Sequence, residues 1–505
     1  MLKWRCIKMS SNKELKVKTF IVSEKQMEID SKMVYYDIWG TKAHVLMLNK
    51  IGVIKKKEIV PILKALNKIE KIYKDEKFKI DPDKGSQLTL EGMIIKECSD
   101  LGYKVHTARS RNDQIMVTEM LYLKDKVLEL MEKLIKVQKS LIGLSKKHID
   151  TVMPGYTHMQ PAKPTTFGQW CLAYFDGLMR GIDSIQKAFE KYNMNPLGAV
   201  ESYGTSWKID RQLTTKLLGF QKVWEVPIDV ISSRGFVQLE YLKVFSDISI
   251  TSSKLSQDLL LFDTFEYGMI GLGDEVAQRM HPITGSSVMA QKKNPDVIEL
   301  IRATSPQIIG FQNIVANLIN SLPMGYNRDS RETKEYIELG ISKMNLMLDS
   351  LEKVLLTLIV DKNKMKQWVI SNYSLTTDLA DYIAQKNDVG YRLVYKIVGK
   401  VVDEAIKNGK LFKEISVSDI IKTGKEFGLD LKLTDEELEK ATDPENCVNK
   451  KTHVGGSNKK TMEKMISERE NILEGKQKWI DLENKTISDS KHETESLIKK
   501  ILGGK

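Results

Sequence analysis

The chain has 505 residues, 41% of them hydrophobic and 29% charged, with a formal net charge of +11. So many apolar residues can fill a sizeable core, which excludes a disordered chain. The lysines alternate with glutamates and aspartates as on solvated helix faces, and no dense basic block with interleaved aromatics points to nucleic acid.

Residues 1–20 are basic and lack a continuous apolar run, so no secretory signal is expected there. No stretch approaches the roughly 20 apolar residues needed to cross a bilayer. Cys6, Cys98, Cys171 and Cys447 stand apart, with neither a CxxC pair nor metal-type spacing. They read as thiols of a reducing compartment, so a cytoplasmic location is expected. Residues 1–112 read as an N-terminal domain of shorter helices. From Asp113 to His148 apolar residues recur every three or four positions (Met116, Met120, Leu123, Val127, Leu130, Leu134), which predicts an amphipathic rod on the order of 50 Å long. Thr166 to Tyr192, Phe236 to Phe265 and Glu335 to Val360 repeat the pattern. So does Pro295 to Ser321, where Pro306 is expected to kink or interrupt the helix. The long gaps between prolines permit these rods. The fold class is therefore all-α, an elongated bundle over residues 113–368 with some stripes facing other copies of the chain. Residues 369–505 read as a C-terminal helical domain ending in a charged, solvated tail after Lys459.

Three polar segments sit at rod ends. His106 to Gln114 combines helix-capping residues with Arg109, Arg111 and Asn112, donors suited to a carboxylate. Met153 to Pro161 is a constrained Pro-Gly loop carrying His158, and histidine is the side chain type suited to proton transfer near neutral pH. Gly285 to Asp296 is a Gly-Ser loop followed by Lys292, Lys293 and Asn294, able to fold over a ligand and hold a carboxylate. Taken singly, they read as a capped helix, a structural histidine and a flexible linker.

Together these segments resemble a known family. Gly285-Ser286-Ser287-Val288-Met289-Ala290-Gln291-Lys292-Lys293-Asn294 is similar to the GSSxMPxKxN loop of the fumarase/aspartase superfamily. His106 to Gln114 resembles the HTGRSRNDQ stretch of argininosuccinate lyases, differing only at Ala108, and Met153 to Gln160 resembles their MPGYTHLQ stretch. Tyr36-Asp37-Ile38-Trp39-Gly40, Tyr326-Asn327-Arg328-Asp329, Thr377 to Tyr382 and Gly455-Gly456-Ser457 match in the same order. The resemblance runs from about Tyr36 to about Ser457.

The resemblance implies a carbon–nitrogen lyase that removes a proton beside a carboxylate and expels an amine, releasing fumarate. It implies Ser286 as the loop hydroxyl that takes the proton and His158 as the group that protonates or orients the leaving nitrogen. Glu299 would fix the histidine's tautomer, and Lys292 would stabilise the dianion. Ser110, Arg111, Asn112, Thr157, Asn294, Tyr326, Arg331, Lys334 and Gln87 are the implied substrate-binding residues. Sites shared by three chains of a homotetramer, a small-molecule substrate and no metal or organic cofactor are further implications. The chain departs from the family at Gln87, where a histidine is usual, at Ala290, where proline is usual, and at Arg331, where glutamine contacts the amino-acid half of the substrate. Argininosuccinate cleavage is the expected reaction. Cleavage of a different N-succinyl amine and a catalytically silent scaffold stand as alternatives.

Overall fold

The computed structural model describes residue 20 and residues 22–503. Cys6 and the basic start of the chain lie outside them. Seven long helices dominate: α1 (Glu24–Lys50), α2 (Arg111–Lys147), α3 (Phe167–Tyr192), α4 (Phe236–Asp263), α5 (Asp296–Ile319), α6 (Thr333–Leu356) and α7 (Lys459–Gly503). The neighbouring pairs α2–α3, α4–α5 and α5–α6 pack together, as do α2 with α6 and α3 with α4, so the apolar stripes read from the sequence face one another. Met116, Val127, Leu130, Met131, Leu134 and Val137 of α2 are fully buried.

Pro306 does not interrupt α5, which runs through it as one helix. Proline removes the N–H that would bond the carbonyl four residues back. That carbonyl, Arg302 O, accepts instead from the Ser253 hydroxyl of α4 at 3.5 Å. α6 stops at Leu356, four residues before the expected end, because Ile359–Val360 pairs as a short strand with Ile270–Gly271.

The solvated tail expected after Lys459 is a 45-residue helix with one seated face. Ile466, Leu473, Ile480, Ile487 and Thr494, seven residues apart, are all buried. A seven-residue repeat keeps one seam against its support along the whole helix. Charges beside that seam reach the central rods, as in Arg469–Asp176, Lys476–Asp183 and Lys491–Asp125. Among the described residues, the buried hydrophobic side chains form two clusters. One cluster joins residues of α1, the rods and α7. A second holds residues between Val369 and Val448, together with Val152.

The rods give the molecule two ends. The start of α2, the start of α4, the end of α5 and the start of α6 meet at one end, where a Cβ on Gly235 would touch Ile319 and Thr333. The end of α2, the start of α3 and the end of α4 meet at the other, where Trp170 donates to Asp258 at 3.1 Å. No helix among the described residues is long and apolar enough to cross a membrane.

Candidate active site

At the start of α2, Ser110 is the N-cap and its hydroxyl accepts from Asn112 N at 3.3 Å, while Asp113 accepts from Ser110 N at 3.0 Å. This reciprocal cap fixes where the rod begins. Asn112 donates through its side chain to Glu201 O at 3.1 Å, and Arg111 is exposed. Ala108 has φ +56°, a left-handed conformation in which a glycine, the family residue here, carries no strain. Behind the cap lies buried Asp37, which accepts from Gln114 at 2.8 Å and faces Arg109. Gln87 also donates to Asp37. The side chain expected to contact substrate is thus engaged in holding this segment.

Asp113 is fully buried and also accepts from Gly198 N at 2.9 Å and Val200 N at 3.0 Å. Burial outweighs these bonds and lifts its carboxyl from the ordinary 3.8 to about 6. A folded-state pKa above the unfolded one stabilises below the unfolded value, and this contribution is lost as pH rises through about 6. Relative to Asp113→Asn, which does not titrate, the native chain should therefore gain roughly 2.5 kcal/mol of unfolding free energy on going from pH 7 to pH 4. Denaturant midpoints of both proteins at the two pH values test this.

The second segment is a β-hairpin, not the loop expected. β1 (Val152–Thr157) pairs antiparallel with β2 (Gln160–Thr166), and Thr157 faces Gln160 across a two-residue turn. The turn residues are His158 (φ +53°) and Met159 (φ +59°). Two positive φ values make the primed turn that matches strand twist, and non-glycine residues hold it only at a cost in strain. Thr157 and His158 are exposed at the tip. The strands rest on the second hydrophobic cluster through Val152, and Lys163 of β2 pairs with Asp381 at 2.8 Å.

The third segment is closed by a bridge between Gly285 and Lys293 and by Asn294 N donating to Thr284 O at 3.0 Å. The Ser286 hydroxyl oxygen accepts from the amides of Val288 at 3.2 Å and Met289 at 2.9 Å. The paired lysines divide their work. Lys293 is tied to Leu272 O and Asp274, whereas Lys292 is exposed. Glu299 lies in the first turn of α5, also exposed, and it and His158 have no hydrogen bond to each other within the chain.

The remaining expected contacts gather at the α2-start end. Arg331 closes a short helical turn, Arg328–Arg331, and Tyr326 precedes it. Lys334 is buried and is held by Asp30 at 2.6 Å and Glu119 at 3.3 Å. Burial lowers its pKa but these carboxylates overcompensate, and the net shift is upward. One neighbour escaped the sequence reading: buried Arg234, whose guanidinium lies 5.1 Å from the Tyr326 ring centroid. The available signal was scarcity, since only twelve of the 78 basic residues are arginines, and arginine is the cation whose planar fork matches a carboxylate.

The expected residues thus divide between the two ends. Ser110, Asn112, Tyr326, Arg331 and Lys334 lie at one. Thr157 and His158 lie at the other, with the Ser286 loop entering from the end of α4. The 37-residue α2, about 55 Å long, stands between the cap at Asn112 and the hairpin that carries His158. No side-chain rearrangement within one chain closes that gap.

A family model described as "Lyase" matches residues 15–310, and one described as "Argininosuccinate lyase C-terminal" matches residues 373–449. The chain is 32% identical over 438 residues to the argininosuccinate lyase of Acetivibrio thermocellus, covering 86% of this chain and 92% of that one. It is 34% identical over 432 residues to that of Streptococcus uberis, covering 85% and 91%. Among solved structures, EDDS lyase in complex with formate superposes with a TM-score of 0.84 at 24% identity, over 95% of each chain. Fumarate lyase from Mesorhizobium sp. BNC1 gives 0.70 at 16% identity, over 88% of this chain and 98% of that one. At such identities the superpositions establish the shared long-helix fold.

Proposed function

Because the chain belongs to the argininosuccinate lyase family, carbon–nitrogen lyases of the fumarase/aspartase superfamily, we propose that it cleaves argininosuccinate to arginine and fumarate by β-elimination, as a step of arginine biosynthesis in the cytoplasm. The observation that carries the mechanism is the Ser286 oxygen, cradled by two backbone amides. Serine is a poor base in water. Amide dipoles that stabilise an alkoxide, in a loop that closes and excludes water, make it an effective one.

Ser286 takes the proton from the carbon beside the substrate carboxylate. The electron pair forms a dianion, which Lys292, Asn294 and the donors of Ser110, Asn112 and Thr157 stabilise. Collapse of the dianion breaks the C–N bond. His158, its tautomer set by Glu299, delivers a proton to the leaving guanidino nitrogen.

The length of α2, about 55 Å, supports a site that takes Asn112 from one chain and His158 from another. Antiparallel rods from several copies bring opposite ends together, which supports a homotetramer with shared sites. The purified chain mixed with argininosuccinate should raise ultraviolet absorbance as fumarate forms. A folded oligomer that releases none would reject this substrate.

A further inference from the structure

Away from the three polar segments, α1, the helix Ile59–Lys74 and the C-terminal end of α7 enclose a cavity of about 510 Å³, a size that holds a small metabolite. Its floor is polar and buried. The Lys42 side chain is 2% exposed and donates to Glu70 and, at 2.6 Å, to Glu495. An ammonium has three N–H donors, so one remains. One helical turn before Glu70, the buried Asn67 Oδ1 has no hydrogen-bond partner. A spare donor and a spare acceptor lining one cavity suit a hydroxyl, which accepts from the first and donates to the second.

The rim is cationic. Five lysines line the cavity against three carboxylates, Glu70, Asp75 and Glu495, an excess of two positive charges, and no arginine is among them. Lys74 and Lys491 are paired, with Glu70 at 2.5 Å and with Asp125 at 3.1 Å. Lys71 and Lys499, both exposed, take part in no ion pair among the described residues. Arginine's fork selects the flat carboxylate, whereas lysine acts as a point charge that suits a phosphate. A phosphate monoester carries nearly two negative charges at neutral pH and balances the excess. The Lys491 ammonium already lies over the Tyr35 and Trp39 rings, 5.5 and 5.1 Å from their centroids, so the aromatic wall is occupied and a stacked base is not favoured.

We infer that this cavity binds a phosphorylated polyol, its phosphate between Lys71 and Lys499 and a hydroxyl between Lys42 and Asn67. Trp39 and Lys42 of α1 line the cavity, while Asp37 and Thr41 of the same helix hold the start of α2 through Gln114 and Arg109. The ligand therefore touches none of the residues assigned to the reaction.

The test is calorimetric titration of the full chain with ribose 5-phosphate, inorganic phosphate and ribose at low salt. Ribose 5-phosphate should bind once per chain, roughly tenfold more tightly than phosphate, the worth of one hydrogen bond to a charged group. Ribose should not bind detectably. The double substitution Lys71→Ala and Lys499→Ala, confined to exposed side chains, should weaken ribose 5-phosphate roughly tenfold or more at unchanged melting temperature. Asn67→Ala should erase most of the advantage over phosphate. Saturating fumarate, which occupies the catalytic residues, should displace none of the probe. No binding by the native chain, equal affinity for phosphate and ribose 5-phosphate, undiminished binding in the lysine variant, or displacement by fumarate would each overturn the assignment.

Discussion

Replacing Ser286 by alanine is expected to lower fumarate release from argininosuccinate by roughly 10²- to 10⁴-fold, the range for loss of a positioned proton-transfer group. The loop's geometry gives the reason. The hydroxyl oxygen accepts from the Val288 and Met289 amides, so the alkoxide that accepts the substrate's proton is stabilised by dipoles already in place. Alanine removes the oxygen and leaves both N–H groups to water, which the loop's exposure allows. The fold should therefore survive, and the loss should fall on kcat more than on KM. Single-turnover fumarate absorbance, with melting temperature as the control for folding, reads both. A variant keeping more than about a tenth of native kcat would remove Ser286 from the proton-transfer step.

The rods were legible because a helical repeat of apolar residues over some thirty positions has no competing interpretation. The hairpin was not. Pro154, Gly155, Pro161 and Pro164 break the alternation by which strands are read, and the turn is made by His158 and Met159 in place of asparagine-glycine. The tail reads as solvated in the sequence because charges outnumber its buried residues. Only the seven-residue spacing from Ile466 to Thr494 reveals the seated face. At the site, sequence pattern identified segments but not partners. Lys334 was expected to meet substrate and is held between Asp30 and Glu119, and Gln87 donates to Asp37. Both pairings join residues remote in sequence, which local pattern does not reveal. Arg234 carried no motif at all. Its place beside the Tyr326 ring is visible only once the chain is folded.

The central claim is that one site draws Asn112 and His158 from different chains. Asn112→Ala and His158→Ala, each assembled alone, should be nearly inactive, since every site then lacks a dianion donor or the acid for the leaving nitrogen. Unfolding, mixing in equal amounts and refolding the two together should restore activity. A site that takes Asn112 from one chain and His158 from another is intact when the first carries only the histidine change and the second only the asparagine change. Random assembly makes roughly a quarter of sites so. Recovery near that fraction, found only after co-refolding, is the predicted result. Persistent inactivity in well-folded mixed oligomers would contradict the shared site and, with it, the proposed mechanism.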